Sequence, residues 1–98
     1  MIQLSSQERA FLKATIEKYF PSNQYAVLLF GSFSTGEARK NSDVDIAIKG
    51  SEVLPAAQWQ NLESELEESD FSRKVDIIDY HRVSPDFQKI IDRDGKSL

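Results

Sequence analysis

GSFSTGEARKNSDVDIAI, residues 31–48, decides how the rest of this chain is read. Its last six residues alternate: Val44, Ile46 and Ile48 fall on one side, Asp43, Asp45 and Ala47 on the other, which predicts a strand over Asp43–Ile48 with one apolar face. Asp43 and Asp45 therefore leave the same face, about 6.5 Å apart at the backbone. Two like charges side by side on a half-buried strand are costly unless a cation compensates them. At the other end of the stretch, Gly31 and Ser32 follow an apolar run directly. A glycine there lets backbone amides approach an anion, and the serine adds a hydroxyl and can start a turn whose free N–H groups face a phosphate. Gly36 lets the chain turn back towards the two aspartates.

Working outward, Tyr25–Phe30 is short, β-prone and almost wholly apolar, as for a strand buried on both faces. Upstream, Ser5 or Ser6 caps a predicted helix running to about Tyr19, with Ser5 and Glu8 spaced as a capping box and Leu12, Ile16 and Tyr19 forming its stripe. Pro21 and Asn23 end it. Downstream, Pro55 to Glu67 reads as a helix with Trp59, Leu62 and Leu66 on one side. Lys74–Asp79 is a third strand, and Pro85 opens a terminal helix ending near Gly95. The order is helix, strand, short turn or helix, strand, helix, strand, helix, a minimal α/β sandwich.

Asp76, between Val75 and Ile77, repeats the situation of Asp45 on the third strand. If the two strands are neighbours, three carboxylates share one face. Hard oxygen donors without Cys or His suit Mg²⁺ or Mn²⁺ rather than zinc. Taken singly, each feature has a plain reading: an Asp-x-Asp pair can line a solvated sheet face, and two glycines can mark an ordinary loop. The combination is the specific part. Neither the Gly-Lys-Ser/Thr P-loop pattern nor the Rossmann glycine fingerprint occurs.

Residues 31–48 with Asp76 resemble the signature of the DNA polymerase beta-like nucleotidyltransferase superfamily, and most of all its minimal nucleotidyltransferases, over about residues 25–80. The resemblance implies an α/β fold with a small mixed sheet of three or four strands and about four helices. It implies that Gly31 and Ser32 hold a nucleoside triphosphate, with Gly36, Arg39 and Ser42 around it. Asp43 and Asp45 would bind two Mg²⁺ ions (or Mn²⁺), and Asp76 would bind the catalytic one and help activate an attacking hydroxyl. ATP or another nucleoside triphosphate would be the substrate, with pyrophosphate leaving. Minimal members resemble the antitoxin half of toxin–antitoxin pairs whose other half is an all-helical HEPN-type protein, and some add AMP to that toxin. The implied alternative is a binding antitoxin with weak or lost catalysis. Many minimal members carry an arginine after the Gly-Ser where this chain has Phe33; Arg39 or Lys40 could replace its charge.

Composition sets the remaining bounds. Ninety-eight residues predict a single domain over 1–98; set beside larger members of the family it resembles, that implies no separate substrate-binding domain, which agrees with a partner protein supplying the acceptor. Hydrophobic residues make up 40%, enough for a folded core, and there is no cysteine to form a disulfide or thiolate site. A net charge of −4 disfavours a large nucleic-acid footprint, RNA acceptors included, but allows a nucleotide pocket whose charge is shared with metal. Neither a signal peptide nor a membrane span is evident, so a cytoplasmic location is expected.

The other polar residues read more plainly. Ser42 is expected to brace the loop and Asp79, of opposite parity to Asp76, to face away. His81 reads as a surface or capping residue. Glu63, Glu65, Glu67, Glu68 and Asp70 read as a solvated face, Trp59 as core, and Phe33, if exposed, as a rim residue able to stack on a base or meet a partner.

Overall fold

The computed structural model describes residues 3–98. The chain runs α1 (Ser6–Glu17), β1 (Ala26–Phe30), α2 (Ser32–Thr35), β2 (Val44–Lys49), α3 (Ala56–Glu68), β3 (Val75–Asp79), a 3-10 turn at Tyr80–Arg82, α4 (Pro85–Asp94) and β4 (Lys96–Ser97). The four strands form one mixed sheet in the order β3-β2-β1-β4. β1 runs antiparallel to both β2 and β4, while β2 and β3 are parallel. A parallel pair needs a crossover, and α3 supplies it.

Local chemistry explains most boundaries. The Ser5 side chain accepts from the Glu8 N–H and Glu8 reaches back to the Ser5 N–H, so the capping box forms as its spacing predicts. Pro55, which has no N–H to satisfy, stands at the N-cap of α3. Ser84 caps α4 ahead of Pro85.

The sheet separates two unequal cores. On one face Val44, Ile46 and Ile48 pack with Leu29, Phe33 and Leu54 against Leu12, Ile16 and Phe20 from the first helical segment and Leu62 of α3. α1 and α3 are tied there by Glu65, which accepts from Lys18 Nζ at 2.6 Å and the Tyr19 hydroxyl at 2.7 Å. Glu65 is thus held by two donors, whereas Glu63, Glu67, Glu68 and Asp70 are exposed as expected. On the other face Phe30, Ala47, Tyr80 and Ile91 form a smaller cluster beneath α4, with Leu28, Ile78 and Phe87 packed against it.

Several expectations shift. β2 begins at Val44 rather than Asp43 and extends to Lys49, so Asp43 stands just outside the ladder. The other two predicted strands each lose their first residue, to Ala26 and Val75. The fourth strand that the resemblance allows is β4, whose place no pattern marks: Lys96 and Ser97 are two polar residues that pair only because α4 returns the chain to β1. Phe33 is not a rim residue. It lies buried in the larger core, so it offers no ring to a base or a partner.

Candidate active site

The site is built where β1 ends and β2 and β3 begin. β1 delivers its last residue, Phe30, opposite Asp45. Gly31 then takes φ 69 and ψ −152, a backbone region open essentially to glycine alone. A Cβ on Gly31 would also collide with the Asp45 carboxylate oxygen. The turn is thus a close approach between backbone and carboxylate that no other side chain permits. Gly31 C=O accepts from Ser34 N–H at 3.0 Å and Thr35 N–H at 3.1 Å, closing the single turn of α2. Such a turn leaves its first N–H groups without helical partners. Gly36 ends it with φ 84, in the left-handed region. The Ser34 hydroxyl donates to the Asp94 C=O, fastening the turn to the end of α4.

In the parallel pair, Asp45 stands directly opposite Asp76. Ala47 and Ile78, which share their parity, pack into the smaller core. Both carboxylates therefore project from the α4 face, and Asp43, two residues before Asp45, shares it by alternation. The electrostatics agree with this proximity. Burial raises the Asp45 carboxyl above its ordinary value, and the Asp76 and Asp43 charges raise it further. Asp76 is partly offset by Lys74, whose Nζ lies 3.7 Å away in an exposed pair. Exposure leaves that pair little energy.

The donor set fits a hard divalent cation. Three carboxylates share a face, the most enclosed of them is disfavoured as an anion by its neighbours, and there is no thiolate or imidazole in the group. Among the described residues no three acidic or histidine side chains already converge on one point, so closing on an ion would require rotation of the aspartates.

The remaining candidates fall into place individually. Ser42 Oγ accepts from Arg39 N–H at 2.8 Å, and Ser42 N–H donates to Arg39 C=O at 3.0 Å, making a braced turn just before Asp43. The Arg39 and Lys40 side chains are exposed on this loop. Asp79 is buried and turned away from the aspartate group: its carboxylate accepts from Leu54 N–H at 2.9 Å and His81 N–H at 3.0 Å. His81 Nε2 contacts the Gly50 carbonyl at 2.7 Å. Arg73 and Lys74 escape the sequence reading: Lys74 has only an exposed pair with Asp76, and the Arg73 contacts come from distant segments.

A mixed sheet with a glycine turn at one strand end and paired carboxylates on the next two strands defines a nucleotidyltransferase type of protein. Residues 12–98 match the family model described as polymerase beta, nucleotidyltransferase, and this chain belongs to that family, within its minimal branch. It is 36% identical over 90 residues to a probable protein adenylyltransferase MntA of Haemophilus influenzae, a match covering 92% of this chain and 77% of that protein. Among solved structures it resembles a toxin–antitoxin complex with AMP-PNP, at TM-score 0.67 and 28% identity over 87% of this chain and 70% of that one. It also resembles a chain in the complex of a tri-AMPylated Shewanella oneidensis HEPN toxin with an MNT antitoxin, at TM-score 0.56 and 25% identity over 91% and 70%. No helix among the described residues is long and apolar enough to cross a membrane.

Proposed function

We propose that this protein transfers a nucleoside monophosphate, AMP from ATP, to a hydroxyl of a HEPN-type partner protein, and so acts as the antitoxin of that partner. The observation carrying this reading is the shared face of Asp43, Asp45 and Asp76 with Asp45 against the Gly31 backbone. Gly31, Ser32 and the α2 turn receive the triphosphate through backbone N–H groups and the Ser32 hydroxyl, and Gly36 keeps the turn tight. Asp43, Asp45 and Asp76 hold the divalent ions, and Asp76 orients the attacking hydroxyl. Mg²⁺, when bound, lowers the pKa of that hydroxyl and neutralises charge on the departing pyrophosphate. The new bond joins the acceptor oxygen to the α-phosphorus as the bond to the pyrophosphate oxygen breaks, and the hydroxyl proton passes to the Asp76 carboxylate or to solvent.

Support for the nucleotide and the partner comes from structures of relatives, one a toxin–antitoxin complex with AMP-PNP and one an MNT antitoxin in complex with a tri-AMPylated HEPN toxin. The burial of Phe33 excludes that ring as a partner contact, while its lack of the arginine charge keeps the binding-only alternative open to test. The test is to combine the purified protein, its cognate HEPN-type partner, Mg²⁺ and ATP labelled at the α-phosphate. Label is expected on the partner, with a loss of more than about 100-fold in Asp45→Asn, the size of effect expected when a metal-assisted step loses a ligand. A folded wild-type protein that leaves the correct partner unlabelled would sink the reading. Protection of cells by a folded Asp43→Asn, Asp45→Asn variant would point to neutralisation by binding instead.

A further inference from the structure

One well-packed cation plays no part in the chemistry above. Arg73 stands just before β3 with a side chain only 15% exposed. Its Nε donates to Glu8 Oε2 at 3.2 Å, its Nη1 donates to the Lys40 carbonyl at 2.9 Å, and its guanidinium lies 5.0 Å from the centre of the Phe33 ring. Each contact reaches a different part of the site's framework. Phe33 follows Gly31-Ser32 directly. Lys40 lies in the loop leading to Asp43. Arg73 itself is three residues ahead of Asp76, and the neighbouring Lys74 carbonyl accepts from Val44 N–H at 2.9 Å.

The first half of the loop at residues 37–43 is anchored by Ala38, buried in the larger core, and by Glu37, which accepts from the Thr35 hydroxyl at 2.9 Å; the second half, next to Asp43, has fewer ties. The backbone bonds within it are Glu37 N–H to the Ser32 carbonyl and the Ser42 N–H to Arg39 carbonyl bond, which the Arg39 N–H to Ser42 Oγ bond reinforces. Glu8, by contrast, is well anchored: its other oxygen accepts from Ser5 N–H at 2.8 Å in the capping box. Glu8 therefore fixes the guanidinium, and the guanidinium fixes the loop. A planar fork suits this task, because it can bond a carboxylate and a carbonyl in different directions while its face covers a ring.

We propose that Arg73 is a positioning residue, holding loop 37–43 through Lys40 and the Gly31-Ser32 turn through Phe33 so that Asp43 and Asp45 already face Asp76 before a divalent ion arrives. Its functional meaning rests on the nucleotidyl-transfer reading, in which small displacements of ligands cost large factors in rate. The test compares wild type with Arg73→Lys, which keeps the charge but loses the fork. Three readouts are needed: thermal melting, hydrogen exchange of residues 37–43 in metal-free protein, and Mn²⁺ affinity from the spin-resonance signal of the free ion. Arg73→Lys is expected to melt cooperatively, to exchange residues 37–43 at least tenfold faster and to bind Mn²⁺ at least tenfold more weakly. Leu62→Ala, a truncation in α3 that removes none of the three Arg73 contacts, is expected to lower the melting temperature further yet leave Mn²⁺ affinity within twofold. If Arg73→Lys does not fold, Glu8→Gln replaces it: the amide can still accept from Ser5 N–H, and a loss of about threefold in Mn²⁺ affinity is expected.

Wild-type exchange in loop 37–43, or wild-type Mn²⁺ affinity despite a loosened loop, would overturn the assignment. A wild-type protein binding no Mn²⁺ would instead remove the transfer reading, and the exchange comparison alone would then decide whether Arg73 orders the loop.

Discussion

Single residues carry the sharpest consequences. Gly31 combines a backbone conformation reserved for glycine with a contact that a methyl group would destroy. Gly31→Ala is expected to cost about 1–3 kcal/mol, read from denaturant melts, because strain of that kind is not relieved by local adjustment. Asp45 gives the opposite sign. Its carboxyl titrates above the ordinary value in the folded chain, through burial first and then the Asp76 and Asp43 charges. Between the unfolded and folded values the native state holds the extra proton, so this group's contribution to stability falls as pH rises through the folded value. Asp45→Asn is therefore expected to raise the melting temperature of the metal-free protein at neutral pH while abolishing the rise that Mg²⁺ gives wild type. A variant that melts lower without Mg²⁺ would show that repulsion is not the governing effect. The aspartates were legible in the sequence because strand parity places side chains without knowledge of the packing. Arg73 was not, since nothing in its neighbourhood reveals that α1, the Phe33 turn and the Lys40 loop will converge on it.

Among the elements, those with strong local signals were readable and those made by tertiary return were not. The capping box of α1, Pro55 at α3 and Pro85 at α4 mark their helices within a residue or two. β4 has no pattern of its own and exists because Leu28 and Leu29 offer a free edge where α4 ends. Phe33 was misplaced for a related reason. A loop between two glycines suggests exposure, but one turn of helix points its ring into the larger core. The α1 cap also provides a pH test. The Glu8 carboxyl is held below its ordinary value, first by the Ser5 N–H and also by Arg73, with burial working against both. Its stabilising effect is thus present above the unfolded value near 4.5 and is lost as pH falls through the folded value. The stability gap between wild type and Glu8→Gln is expected to be open at pH 7 and to close in strongly acidic solution. A gap unchanged by acid would exclude the charge as its cause. Ser5→Ala is expected to cost about 1 kcal/mol in the same melts.

At the scale of the whole molecule, the sheet divides labour between its faces. The α1–α3 face carries most of the buried apolar volume, so Ile46→Ala there is expected to cost about 2–5 kcal/mol in equilibrium unfolding. The α4 face holds a smaller cluster and leaves the leading ends of β2 and β3 to the carboxylates. Stability is thus concentrated on the side away from the like charges of Asp43, Asp45 and Asp76. That division underlies the proposed chemistry, and it can be examined without knowing the acceptor. The most direct measurement is anomalous diffraction from crystals soaked with Mn²⁺ and a non-hydrolysable ATP analogue. Manganese is expected among the carboxylates of Asp43, Asp45 and Asp76, at about 2.2 Å from their oxygens, with the analogue's phosphates against Gly31 and Ser32. Manganese bound elsewhere, or phosphates seated away from the Gly31 turn, would contradict a metal-dependent transfer site on this face.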